Sequence, residues 1–252
     1  MKTRMRLFSF ILVMLLTACA FTAGAGAIDL ADVYSDFAII TYREAAQVVT
    51  AYRLYEGDSP VDGLRRFRPD ERLSRAEAAK LAAFAALGPQ EASRIEPATT
   101  RFVDLEGYEW ASGYIKYCQE NGIINGISAD MYNPSGHLTH FEMLKLMVCT
   151  LGYGANGECT GSSWKLAVAG YANSAGLTSG LLDSTDFDYG KEIDREEAAL
   201  YLYNALRADM VAYYDLLKVY YPRDINGEAL VPGLSMGTPV TLLRPHLKSE
   251  MM

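Results

Sequence analysis

Apolar residues recur at helical spacing after three closely similar polar starts. Ser74-Arg75-Ala76-Glu77 is followed by Ala78, Leu81, Ala82, Ala85 and Leu87 on one helical face, with Gly88 as the stop. Thr139-His140-Phe141-Glu142 is followed by Leu144, Met147, Val148 and Leu151, then Gly152. Asp194-Arg195-Glu196-Glu197 leads into Ala198, Ala199, Leu202, Ala205 and Leu206. Each start pairs a capping residue with a Glu three positions on, so Ser74 with Glu77, Thr139 with Glu142 and Asp194 with Glu197 are predicted capping boxes. An apolar residue precedes each box: Leu73, Leu138 and Ile193.

Weaker helical patterns stand ahead of the boxes. Tyr114, Ile115 and Cys118 follow Trp110, and Val168, Ala169 and Ala172 follow Trp164. Each run ends in a glycine-bounded turn, Gly122 to Gly126 and Gly176 to Gly180, at the same distance from its Trp. Met131-Tyr132-Asn133-Pro134 then leads to the second box, and Phe67-Arg68-Pro69 leads to the first. The chain therefore reads as three units of helix, loop and helix. Units of this size cannot each bury a core, so they must pack on one another.

These stretches resemble the S-layer homology domain. Phe102-Val103-Asp104 with Trp110-Ala111 resembles the family's F-x-D…W-A opening, and Gly122-Ile123-Ile124-Asn125-Gly126 resembles its G-I-I-x-G turn. Phe67-Arg68-Pro69 with Leu73-Ser74-Arg75-Ala76-Glu77 resembles F-x-P…[IL]-T-R-A-E. The resemblance runs from about Asp32 to about Met210. It implies an all-α fold of three tandem repeats, over 28–90, 98–154 and 155–211, packed as a pseudo-threefold, three-pronged bundle. It also implies a non-catalytic module that anchors proteins at the surface of a Gram-positive-type cell. The implied partner is a secondary cell-wall polymer, a polysaccharide with pyruvate-bearing amino sugars, held in grooves between the repeats.

The box residues supply candidate chemistry. A first-turn Arg opposes the helix dipole, so Arg75 and Arg195 need a carboxylate partner. One reading is an internal ion pair, with Asp70 or Glu77 for Arg75 and Glu192 or Glu196 for Arg195. The other, implied by the family, is an acidic sugar. Trp110 and Trp164 serve either as core anchors or as groove walls for a sugar ring. Gly126 and Gly180 serve either as helix stops or as points of close backbone approach, and Asp104 joins the ligand set by resemblance. His140 stands where the second box should have Arg, which implies a weaker groove, stronger only at acid pH. The first unit has Thr41 and Tyr42 in place of the Trp, Arg53 in place of the first Gly, and a longer loop from Gly57 to Phe67. In the third, Tyr189 stands near the expected Pro. One or two competent grooves are expected.

Composition narrows the rest. The net charge is −8 and half of the residues are hydrophobic, with no basic stripe of the kind nucleic acid requires. Met1 to Ala27 reads as a signal peptide, with Lys2, Arg4 and Arg6, an apolar run from Leu7 to Leu16, and A-x-A sites at Ala23-Gly24-Ala25 and Ala25-Gly26-Ala27. The alternative is lipidation at Cys19 in Leu16-Thr17-Ala18-Cys19; both readings export the protein. Cys118 and Cys149 read as core residues, and a bridge from Cys159 to either is open in an exported chain.

Other motifs carry less. His137, His140 and Glu142 straddle a cap, so no metal site is expected. Gly233-Leu234-Ser235-Met236-Gly237 matches a nucleophile elbow, but Pro232 and Pro239 flank it and His246 and Glu250 follow in the wrong order, so neither an enzyme nor a cofactor is expected. Tyr213, Tyr214, Tyr220 and Tyr221 are expected to extend the last helix or pack on it, with an irregular stretch or a β-hairpin over the rest of 212–252 and no room for a further effector domain. A structural or interaction scaffold that contacts other surface proteins is the alternative function. It predicts Args locked in internal pairs and grooves plugged by the loop from Ser59 to Arg66.

Overall fold

The computed structural model describes residues 28–60, 63–182, 188–235 and 237–243. The leader with Cys19, part of the Ser59–Arg66 loop, Met236, His246 and Glu250 lie outside the described residues. The helices are α1 (Leu30–Val33), α2 (Arg43–Ala51), α3 (Arg75–Leu87), α4 (Pro89–Ala92), α5 (Ser112–Glu120), α6 (His140–Leu151), α7 (Trp164–Ser174) and α8 (Arg195–Arg207). Two 3₁₀ turns, Phe37–Ile39 and Glu109–Ala111, stand before α2 and α5.

All three capping boxes form. The caps Ser74, Thr139 and Asp194 each accept from the backbone N–H of their Glu, and each Glu accepts from the cap's own N–H at 2.9, 2.8 and 3.2 Å. The residues just before the boxes then bond in a closed cycle. Leu73 N–H donates to Ile193 (3.3 Å), Ile193 N–H to Leu138 (2.9 Å), and Leu138 N–H to Leu73 (3.2 Å). All three side chains are buried.

The next two N–H groups of each box helix are orphans of the helix start. They are met by carbonyls from another part of the chain. Arg75 and Ala76 donate to Gly136 and Pro134, His140 and Phe141 to Lys191 and Tyr189, and Arg195 and Glu196 to Glu71 and Pro69. Tyr189 thus fills the place of Pro69 and Pro134 without being proline. Each box helix is completed by the loop that leads into a different box.

The helix pairs that pack are offset from the sequence units. α3 packs on α5 and α6 on α7, while α8 packs on α2, joining the two ends of the fold. α6 also packs on both α3 and α8. α8 is buried on every side, and Leu202 and Leu206 have no exposed surface. Each such Leu contributes about 1.5–3 kcal/mol of burial. The predicted apolar faces hold with three exceptions: Leu87 and Tyr114 are half-buried and Ala169 is exposed.

The turns after α2, α5 and α7 share one geometry. Arg53, Gly122 and Gly176 all adopt positive φ, at 53°, 69° and 66°. The following N–H reaches back to Val49, Cys118 and Ala172 respectively. Arg53 therefore occupies the glycine position at some conformational cost.

The tyrosine-rich stretch does not extend α8. It forms an antiparallel hairpin, β1 (Val211–Tyr214) with β2 (Val219–Pro222), in which Val211 pairs with Pro222 and Tyr214 with Val219. Val and Tyr favour a strand, and α8 ends at Ala208, whose backbone is extended. Tyr220 packs against Tyr153 and Tyr171, docking the hairpin on the α6–α7 pair.

Candidate functional site

The second residue of each box points away from its own helix toward the Glu of another box. Arg75 Nη1 lies 2.9 Å from Glu142 Oε1, and Arg195 Nη1 lies 2.8 Å from Glu77 Oε1. His140 Nε2 lies 3.2 Å from Glu197 Oε2. The partners anticipated from sequence neighbours are therefore replaced by longer-range ones: Glu142 rather than Asp70 or Glu77, and Glu77 rather than Glu192 or Glu196. Glu77 and Glu142 each divide their two oxygens between their own cap and the incoming Arg. This resolves the conflict of a first-turn Arg with the helix dipole, because the guanidinium is aimed at a carboxylate elsewhere.

Arg75 lies at one end of a groove of about 160 Å³ between the α5 turn and α6. Its Nε donates to the Tyr132 carbonyl at 2.9 Å, and its guanidinium lies over the Tyr132 ring. Ile123 to Ile127 form one wall, and Glu142, Lys145 and Trp164 form the other. Lys145 and Lys165 both lie over the Trp164 ring, at 5.5 and 5.8 Å. Gly126 belongs to this groove, and a Cβ there would fall 2.4 Å from the Met131 carbonyl oxygen.

A second cavity, of about 630 Å³, lies between the end of α2 and α3. Tyr52, Arg53, Lys80, Phe84 and Tyr114 line it. Arg195 is buried, with its guanidinium over the Tyr55 ring and its Nε donating to the Phe67 carbonyl. Burial pulls Arg195 down to about 10. Trp110, 45% exposed, stands one turn before Tyr114.

The corresponding place beside α8 differs. His140 is fully buried between Tyr201, at 2.9 Å from Nδ1, and Glu197. Burial pushes Glu197 up, but hydrogen bonds from His140 and Asp194 outweigh it and hold the carboxyl below the usual range. Burial raises the Asp194 cap to about 7, and the Glu197 charge adds to that. Leu182 N–H donates to the Tyr42 hydroxyl across this region, and Glu196 accepts from Thr41 and Tyr42. Gly180 is at positive φ, with Leu200 the nearest side chain to it.

Asp104 is engaged internally. Its carboxylate accepts from the Tyr132 and Asn133 N–H groups, fixing the loop that carries Tyr132. Asp36 does the same for Phe67 and Arg68. That role was missed in the sequence, although Tyr34-Ser35-Asp36 repeats the spacing of Phe102-Val103-Asp104. Also missed were the residues three places after each box Glu: Lys80, Lys145 and Leu200. The register of the boxes held that signal.

The remaining candidates separate in space. His137 contacts Glu192 whereas His140 contacts Glu197. Ser235 Oγ donates to the Ala229 carbonyl within a loop. The described residues of the Ser59–Arg66 loop lie against α1, where Arg65 exchanges backbone hydrogen bonds with Val33 and Ser35, and none of them lines the Arg75 groove.

Residues 101–144 match the S-layer homology domain. The chain is also similar to a cell surface protein of Thermoanaerobacter kivui, with 24% identity over 149 residues. That alignment covers 59% of this chain and 18% of the relative, so the chain spans less than a fifth of the length of that protein. Among the described residues, no helix is long and apolar enough to cross a membrane.

Proposed function

We propose that this chain is a non-catalytic anchoring module that binds an acidic cell-wall polysaccharide at the cell surface. In this reading, residues 28–90, 98–154 and 155–211 are three S-layer homology repeats arranged about a pseudo-threefold axis. The closed cycle through Leu73, Leu138 and Ile193, and the matching Arg75–Glu142, His140–Glu197 and Arg195–Glu77 contacts, support that arrangement. The match over 101–144 supports the anchoring role.

The Arg75 groove carries the proposal. Glu142 neutralises much of the Arg75 charge, so the cation available to a sugar carboxylate is Lys145, held over Trp164. Trp164 offers an apolar wall for a sugar ring, and Gly126 allows the ligand close to the backbone. Pyruvylated amino sugars have the required combination of carboxylate, amide and apolar ring face. The cavity lined by Arg53, Lys80 and Tyr114 is the second candidate. The place beside α8 has His140 for Arg and Leu200 for Lys, and Leu182 is bonded across it to Tyr42, so it contributes little binding.

An interaction scaffold without glycan binding is the second reading. Its support is the burial of both Args in internal ion pairs, with side chains 12% and 7% exposed. Calorimetric titration of the purified polymer into the folded chain separates the two. The anchor reading expects binding that falls at least tenfold in Lys145→Ala and Trp164→Ala and depends on the acidic group. Absence of heat or of any measurable binding by the folded wild type supports the scaffold.

A further inference from the structure

We infer that Cys149 and Cys159 form an intramolecular disulfide that ties the end of α6 to the loop leading into Trp164. Each thiol is the main influence on the titration of the other, raising Cys149 and lowering Cys159. Both sulfurs face the same backbone position. A Cβ on Gly154 would sit 3.0 Å from Cys159 Sγ and 3.5 Å from Cys149 Sγ. Gly154, at φ +84°, therefore leaves the space that the sulfur pair occupies. Cys118 belongs elsewhere: its Sγ donates to the Ala79 carbonyl in the α3–α5 contact, and burial pushes its thiol up to about 12.

The two sulfurs differ in exposure and in titration. Cys149 is partly exposed and Cys159 is buried. The hydrogen bond from Cys149 holds the Cys159 thiol below its ordinary value, against the opposing effect of burial. An external low-molecular-weight disulfide, RSSR, supplies the oxidant. One thiol of the pair loses its proton and attacks one sulfur of RSSR, giving a mixed disulfide and RS⁻. The other then attacks the protein sulfur of that mixed disulfide as thiolate and expels the second RS⁻. The two thiol protons end on the two RS⁻ groups, and the two electrons pass to RSSR. The closed loop holds Gly152, Gly154 and Gly157, all at positive φ, so the cross-link restrains an otherwise glycine-rich segment. It lies directly before the groove wall formed by Trp164.

The test is intact-mass spectrometry of the folded chain after incubation with oxidised glutathione, followed by alkylation under denaturing conditions and peptide mapping. Wild type and Cys118→Ser should each lose two hydrogens and yield a linked Cys149–Cys159 peptide. Cys149→Ser and Cys159→Ser, checked for native helix content by circular dichroism, should not. Full alkylation of Cys118, Cys149 and Cys159 in the oxidised wild type would overturn the assignment. So would a stable glutathione adduct on either Cys149 or Cys159 that the other fails to displace, or a link through Cys118. If neither serine variant folds, the wild-type peptide map decides the question alone.

Discussion

Glu142 serves two masters: its Oε2 accepts from the Thr139 N–H at 2.8 Å while its Oε1 takes Arg75 Nη1 at 2.9 Å. One carboxylate thus completes its own helix start and fastens a residue 67 positions away in sequence. Glu77 does the same for Ser74 and Arg195. A motif that looks local is the device that closes the fold.

Arg75→Ala should therefore destabilise the fold whether or not a ligand exists. Removing one partner of a part-buried pair costs about 2–4 kcal/mol, because Glu142 and the Tyr132 carbonyl are left with reduced partners. A urea-denaturation double-mutant cycle with Glu142→Gln should give a coupling of about 1–3 kcal/mol. Additive effects would mean that the pair does not link the two boxes.

The Asp194 cap predicts an unusual pH dependence. Burial raises its carboxyl to about 7 in the folded state, so the folded chain holds a proton that the unfolded chain has already lost. Between about pH 4 and pH 7 this group makes stability fall as pH rises. Above pH 7 the whole penalty is present, and below pH 4 none of it is. Asp194→Ser keeps a capping oxygen and removes the carboxylate. It should stabilise the chain by roughly 1 kcal/mol at pH 8, after solvent screening, and by much less at pH 5. The check is thermal unfolding at both values; an equal or smaller gain at pH 8 would contradict the assignment.

How much of this was legible in the sequence follows from how local each feature is. The capping boxes and the apolar faces of α3, α6 and α8 depend on residues within a few turns, and they form as the pattern indicates. The special turn geometry at Arg53 was also readable, because it aligns with Gly122 and Gly176. The partners of Arg75 and Arg195 were not. Sequence neighbours offered several carboxylates, and only the cyclic closure selects Glu142 and Glu77. The pairing of α2 with α8 was hidden for the same reason, since it joins the two ends of the fold. Asp104 was read as a ligand residue, and the sequence did not show that its oxygens hold the Tyr132 loop.

Gly126 offers a sharper probe of the groove than Arg75. A Cβ there would meet the Met131 and Ser128 carbonyl oxygens at 2.4 and 2.5 Å, both of them backbone atoms. Gly126→Ala should shift the turn, cost about 1–3 kcal/mol and narrow the groove. Gly161→Ala, where a Cβ meets nothing within 4 Å, should leave the groove unchanged and lose only what its positive φ demands. Comparing the two by denaturation and polymer titration separates a blocked groove from general destabilisation. Equal binding losses in both would argue against the groove.

The most direct measurement of the central claim is co-sedimentation of the folded chain with purified cell-wall sacculi from its own host, beside sacculi stripped of the secondary polymer. Wild type should pellet with intact sacculi and not with stripped ones, and Lys145→Ala and Trp164→Ala should stay in the supernatant while retaining native helix content. A folded wild type that ignores intact sacculi, or that pellets equally with stripped ones, would contradict the anchoring account.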